Sequence, residues 1–455
     1  MDESQKQVEA QKDMLVEKWG AFLDHKDYDP IKGSHRRKTT AVLLENQLKS
    51  MNPGQTEATM LSESTAPGTI ASNVTNWDPI LMSLVRRAAP KMIAYDVCGV
   101  QPMTGPSGLI FALRATYGRN GANATLAQGN EALGITEARS GFSGDPAIGQ
   151  GTTGIGGSDF GTTAGSGIAG ISIGRGMALS AAEILGSDTG GDFQEMSINI
   201  DSTSVTAKSR ALKAEYSHEI QQDMKAIHGL DADKELANIL TQEILAEQNR
   251  EVIRTLYVTA KQGAQTGVTT PGQFDLDVDS NGRWSVERFR GLHFQIEREA
   301  NVIAKETRRG KGNFVICSSD VASALNAAGV LDYNPALQGN LEVDDTGNTF
   351  AGTLASGMKV FIDPYHSATA TNDFMCVGYR GTSSMDAGLF YCPYIPLQMY
   401  RAVGEDTFQP KIGFKTRYGL VTNPFVTLAS GAPDGETLTA GINQYYRFQP
   451  ILNLT

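Results

Sequence analysis

The chain has 455 residues, 40% of them hydrophobic and 20% charged, with a formal net charge of −11. This is globular composition rather than that of a disordered tail, with room for about three units of roughly 150 residues each. The acidic balance excludes the basic footprint of a nucleic-acid grip. The densest basic cluster, His35-Arg36-Arg37-Lys38, is short and reads as a solvated turn.

Residues 5–24 carry Val8, Leu15, Trp19 and Phe22 at helical spacing, and 39–50 fits a second short helix ended by Pro53 and Gly54. Two helices of this size cannot build a core, so they read as a detachable amphipathic arm that packs on something else; the alternative is a helical pair docked on its own domain. Residues 60–70, MLSESTAPGTI, are small, polar and turn-forming, the kind of backbone that is most easily nicked. Asn76 or Asp78 caps a helix with Pro79 in its first turn, and Pro90 ends it. Its apolar face is Ile80, Leu81, Leu84, Val85 and Ala88. Strands are predicted over 92–100 and 109–114.

The chain holds 49 glycines, many of them between 118 and 191. There the pattern dissolves into small residues that cannot bury enough surface to offset their ordering entropy. Alternation returns over 196–220, with a change of phase that predicts a bulge or bend. The strongest element is 231–261, where Leu236, Ile239, Leu240, Ile244, Ile253, Leu256, Tyr257 and Ala260 form one stripe. A helix of that length is a strut of about 45 Å. The last third mixes a helix over 285–307, a strand over 313–319, and a helix over 320–329 capped by Asp320 and stopped by Gly329. Strands follow over 357–363, 373–380, 388–396, 399–403, 407–422 and 445–452. No internal repeat is present.

Catalytic signatures fail on context. GSGIAG at 165–170 has glycine on both flanks instead of a strand and a helix, so it is no dinucleotide fingerprint. Ser172 in GISIG lacks the strand-to-helix elbow and a legible histidine partner. Cys98, Cys317, Cys376 and Cys392 form no CxxC pair, and the six histidines show no metal-ligand spacing. No P-loop occurs, and no apolar run approaches the ~18 residues of a membrane helix. The polar start MDESQKQ is not a secretory signal. The expectation is a protein that is no enzyme, with no catalytic or metal residues and no cofactor.

Residues 76–114, NWDPILMSLVRRAAPKMIAYDVCGVQPMTGPSGLIFALR, resemble a run in the major capsid proteins of T-even-type tailed phages. The run from Leu212 to Ile253, LKAEYSHEIQQDMKAIHGLDADKELANILTQEILAEQNREVI, is similar to a second block of that family, and YVTAKQGAQTG (257–267) continues it. The resemblance covers roughly 76–114 and 196–455. It implies an α+β, HK97-like capsid fold. Its parts would be a cleavable propeptide (1–63), an N-arm with the start of a peripheral domain (64–114), and an extended loop with a glycine-rich insertion (115–218). A spine helix of the peripheral domain (219–284), an axial domain (285–420) and a C-terminal return segment (421–455) would follow. Where the T-even proteins carry an insertion domain in the loop, this chain looks shorter and glycine-dominated, so no carbohydrate-binding role is carried over.

The resemblance also implies loss of the N-terminal segment to a maturation protease that cuts after glutamate in Leu/Ile-x-Glu. Matches include those ending at Glu45, Glu63, Glu137 and Glu247. Glu45 and Glu247 fall in predicted helices, and a protease holds its substrate extended, so Leu61-Ser62-Glu63 followed by Ser64 is the expected site, with Glu45 as a second cut. The implied function is self-assembly into hexamers of an icosahedral or prolate head shell enclosing DNA. The implied partners are the chain itself, a vertex protein, portal, scaffold, protease and decoration proteins, in the virion and assembled in the host cytoplasm. The alternatives are the pentameric vertex protein, a cellular nanocompartment shell of the same fold, and a Ser172 hydrolase.

Overall fold

A computed structural model describes residues 3–25, 31, 33–51, 83, 85–86, 92–117, 179–184, 196–280, 282, 284–333, 349–363, 373–382, 386–404, 408–424 and 440–454. Leu61, Glu63, Ser64, Glu137, Ser172 and most of the predicted helix before Pro90 lie outside them. The chain forms two compact units, one from 1–110, 203–303 and 310–455, the other from 111–202 and 304–309.

In chain order, the arm is α1 (Glu3–Lys18), α2 (Gly20–Leu23) and α3 (Ser34–Met51). It is followed by α4 (Ala94–Val97), β1 (Gly99–Val100) and β2 (Ser107–Tyr117). Then come α5 (Leu179–Glu183), β3 (Met196–Thr206), β4 (Lys208–Glu215) and α6 (His218–Asp223). The long helix is α7 (Ala232–Thr259), followed by β5 (Ala260–Gln262), β6 (Phe274–Asp275) and α8 (Ser285–Thr307). The remainder is β7 (Phe314–Cys317), α9 (Ser319–Ala327), β8 (Leu331–Tyr333), β9 (Thr349–Leu354) and β10 (Lys359–Ile362). It closes with β11 (Asp373–Gly378), β12 (Leu389–Val403), β13 (Pro410–Thr422) and β14 (Asn443–Leu452). The chain is therefore α+β.

In the first unit, an eight-stranded sheet runs β5-β14-β11-β7-β10-β9-β8, with β6 also on β14. Helix α8 buries Leu292, Ile296, Ala300 and Ile303 along one stripe, in a single core with Val315, Val360 and Met375 of that sheet. A second, four-stranded sheet runs β1-β12-β13-β4. Among the described residues β4 is its terminal strand. The two strands predicted over 388–396 and 399–403 are one strand, β12, whose register against β13 shifts between Pro393 and Ile395 and again before Gln398. Proline has no N–H for the ladder, so Pro393 and Pro396 force these irregularities. The predicted bend within 196–220 falls at Ala207, between β3 and β4.

Three expectations are corrected. Residues 92–100 read as a strand because of their β-formers, yet 94–97 make a helical turn that buries Ala94, Tyr95 and Val97, and only Gly99–Val100 pair, with β12. The strut exists, but Ile239 from the predicted stripe is 57% exposed, while Ala237, Gln248, Asn249 and Val252 are buried. The residue at the N-cap position of α9 is Ser318, whose side chain makes no capping bond, and Asp320 sits in the first turn; Gly329 does follow its end, with φ +68°. The second unit contains the distal part of β2, α5 and the first part of β3; β2 and β3 pair as a two-stranded ribbon.

Candidate assembly surfaces

The arm does not project away from the chain; it is docked on the first unit. Helix α3 turns Ala41, Leu44 and Leu48 inward, and Trp19 and Leu23 close over them. They share one core with Ala237, Leu240 and Ile244 of α7 and with Leu397, Ile412 and Phe414 of the four-stranded sheet. The groove thus lies on the N-terminal half of the strut and the β12–β13 hairpin. At about 1.5–3 kcal/mol per buried large apolar side chain, this contact is as heavy as ordinary core packing.

Polar bonds fix its register. The irregular stretch of β12 frees backbone carbonyls, and three of them find donors. Pro393 accepts from Met103 N at 2.9 Å and Ile395 from Thr416 Oγ1 at 3.2 Å. Tyr394 accepts from Asn46 Nδ2 of the arm at 3.0 Å, and the same amide nitrogen donates to Met103 O at 2.8 Å. In the other direction, Arg86 Nη2 donates to Leu23 O at 2.7 Å. The basic cluster is not a bare solvated turn. Arg36 pairs with Asp96 at 2.6 Å and lies over the Tyr95 ring, Arg37 pairs with Asp24, and Lys38 pairs with Asp13 at 2.7 Å.

Five Leu/Ile-x-Glu matches occur, the fifth being Leu15-Val16-Glu17 inside α1; of the other four, Glu45 and Glu247 are described. Glu45 is 3% exposed within α3, and its Oε2 accepts from Lys18 Nζ at 3.0 Å and Trp19 Nε1 at 3.1 Å. Glu247 is on α7 and pairs with Arg210. Neither presents extended backbone. Arg210 of β4 also reaches Glu251 Oε2, at 3.1 Å from Nε and 2.5 Å from Nη2, and bonds Tyr418 Oη. Burial, then Glu251, pushes the Tyr418 hydroxyl well above its ordinary pKa. The cluster ties strut, β4 and β13 together beside an open cleft of about 340 Å³ lined by Ser204, Lys208, Arg210, Glu251 and Tyr418. Its charged groups are committed to one another and hold no nucleophile–base pair, so its chemistry is that of a clamp.

A different kind of surface occurs in the second unit. Met196, Ile198 and Ile200 alternate along β3 and are all exposed, Ile198 to 70% and Ile200 to 69%. Alternate residues of a strand share a face, so this ribbon shows a continuous apolar stripe to solvent. Phe111 of β2 is also exposed. Large uncovered apolar patches of this kind mark interaction sites. Their alternation was legible in the sequence, but their exposure was not.

Comparison with known proteins settles the family. A model of the major capsid protein Gp23 family matches residues 74–451. The chain belongs to that family. The major capsid protein of Salmonella phage ViI is 44% identical over 429 residues, covering 93% of this chain and 94% of its own. That of Enterobacteria phage T4 is 35% identical over 491 residues, covering 92% and 93%. The latter span exceeds the 455 residues present here, so the T4 protein carries residues this family member lacks. The capsid vertex protein of the same phage is 27% identical over 277 residues, covering 58% of this chain and 61% of its own. Among solved structures, the capsid of Myoviridae Phage XM1 covers 79% of this chain and 92% of its own at 9% identity and a TM-score of 0.38. As a major capsid protein the chain is a structural component of the phage head.

Proposed function

We propose that this major capsid protein forms hexamers of an HK97-like lattice in an icosahedral or prolate head shell around the phage DNA, and that it matures by cleavage after Glu63. The observation that carries the assembly reading is the uncovered apolar stripe Met196-Ile198-Ile200, which neighbouring copies in a closed symmetric ring would bury. Repetition of modest contacts of this sort over a shell yields high avidity. The formal charge of −11 fits a wall that does not hold nucleic acid tightly.

The processing reading rests on two supports. The family match begins at residue 74, leaving the arm outside it. The competing match at Glu45 is buried in a helix, so Glu63 and its neighbours Leu61 and Ser64, in a polar Pro/Gly-bounded stretch, are the better substrate. Vertex protein, portal, scaffold and maturation protease are the partners this function requires, and assembly in the host cytoplasm precedes encapsidation. Intact mass of the chain from purified particles tests processing: a start at Ser64 is expected, and a particle chain that retains residues 1–63 overturns it. The partial likeness to a capsid vertex protein gives the second reading. Copy number per particle decides it, hundreds for the hexamer subunit against a few tens for a vertex.

A further inference from the structure

We infer that the groove formed by α7 and the β12–β13 hairpin is a binding site for the arm helices α1–α3 as a free helical ligand. Cutting the chain after Glu63 would then leave the arm seated, and cleavage and departure of the arm are separate events. The inference rests on the processing reading only for where the cut falls; the binding itself is read from the docked arm.

A cut removes the covalent link, and with it the effective concentration that intramolecular binding supplies. It removes no side-chain contact between arm and groove. Those contacts are of the kind that hold independent partners. Trp19, Leu23, Ala41, Leu44 and Leu48 of the arm are buried in one cluster with Leu240, Ile244, Leu397 and Phe414. Buried tryptophan is among the residue types enriched at interface hot spots. Directional bonds cross the boundary both ways: Asn46 to the carbonyls of Met103 and Tyr394, Arg36 to Asp96, and Arg86 to the carbonyl of Leu23.

The arm is also organised internally. Lys18 Nζ and Trp19 Nε1 both donate to Glu45, while Arg37–Asp24 and Lys38–Asp13 join α3 to the segment before it. A ligand that arrives with part of its shape already fixed has less ordering entropy to lose on binding. Of the backbone carbonyls it meets, that of Tyr394 is held out by the proline-broken register of β12 and that of Met103 follows β1.

The test uses the full chain carrying a heterologous protease site between Glu63 and Ser64, purified intact and cut afterwards. At micromolar concentration, size-exclusion chromatography is expected to show the 1–63 fragment co-eluting one-to-one with 64–455. Substituting Leu44→Ala or Leu48→Ala in the arm weakens retention by about 30-fold or more, the effect of emptying a packed leucine site. Met14→Ala leaves retention unchanged, because Met14 is exposed. After the arm is stripped in mild denaturant and returned, Trp19, the one tryptophan of residues 1–63, reports re-entry as a blue shift of its emission. Separate elution of the fragment as soon as the wild-type chain is cut overturns the inference, and so does retention unaffected by Leu44→Ala. If particle chains keep residues 1–63, the processing reading fails while the co-elution result stands.

Discussion

Glu299 offers the sharpest energetic test of how the strut is joined to the eight-stranded sheet. It lies in α8 and is 3% exposed; Arg447 in β14, 6% exposed, faces it with Nη1 3.9 Å from Oε2. The other carboxylate oxygen accepts from Ala264 N at 2.9 Å and Gln295 Nε2 at 3.0 Å. Ala264 follows β5, directly beyond the long helix, and holds φ at 50°, a left-handed conformation that a non-glycine residue keeps only when its surroundings impose it. Glu299→Gln retains an acceptor for that amide but removes the charge. At 3.9 Å and an effective dielectric near 20, the lost attraction is about 4 kcal/mol, and removing one partner of a buried pair costs about 3–5 kcal/mol. The urea midpoint of Glu299→Gln should fall accordingly, as should that of Arg447→Met. Because a paired replacement strands no charge, the double variant should be more stable than the sum of the singles predicts, by about 2 kcal/mol or more. Singles within about 0.5 kcal/mol of wild type, or strict additivity, would refute the claim that this pair is electrostatically coupled.

Three further outcomes are expected. Burial pushes the thiols of Cys98, Cys317 and Cys392 up to about 12, so a thiol reagent at pH 8 should label them only after unfolding; rapid native labelling contradicts the core described. His35 is held below its ordinary value by burial first and then by the charges of Arg380, Lys12, Arg36 and Lys38. An undocked arm therefore binds the proton more readily than a docked one, so docking is at full strength above about pH 6.5 and declines as the pH falls below it. The protection factors of α3 amides, which take out the pH dependence of intrinsic exchange, should fall between pH 7.5 and 5.5 and stay level in His35→Ala; unchanged protection in the wild type rules this out. Finally, a Cβ at Gly378 would press into the Phe314 ring on the neighbouring strand, so Gly378→Ala should destabilise by about 1–3 kcal/mol. A melting temperature equal to wild type argues against that packing.

What the sequence made legible is local. The strut over 231–261 and the helix over 285–307 are long and strongly periodic, and they appear as Ala232–Thr259 and Ser285–Thr307. Turn chemistry placed Gly329 after its helix. What was hidden depends on remote partners. Asn46 looks like a surface amide until Tyr394, 348 residues away, supplies its acceptor. The same holds for the arm as a whole: its own apolar stripe says that something covers it, and only the groove on α7 says what. Residues 92–97 carry β-formers, yet burial of Tyr95 and Val97 in a helical turn overrides that preference. Ile239 fits the stripe by spacing, but the face that packs includes Gln248 and Asn249, which are buried because Thr416 and the amide of Ile93 bond them. Polar residues inside a helical stripe defeat a reading based on hydrophobicity alone.

The irregular register of β12 has a consequence for how this lineage drifts. The docking acceptor at Tyr394 belongs to the main chain, so replacing its side chain does not abolish it; only a change at Pro393 or Pro396 that straightens the strand would withdraw it. The amide at position 46 has no such insurance. Across aligned relatives, asparagine there should persist wherever both prolines do and be lost where either is replaced, a pairing of two turn-of-strand residues with one helical residue that ordinary side-chain contact would not produce.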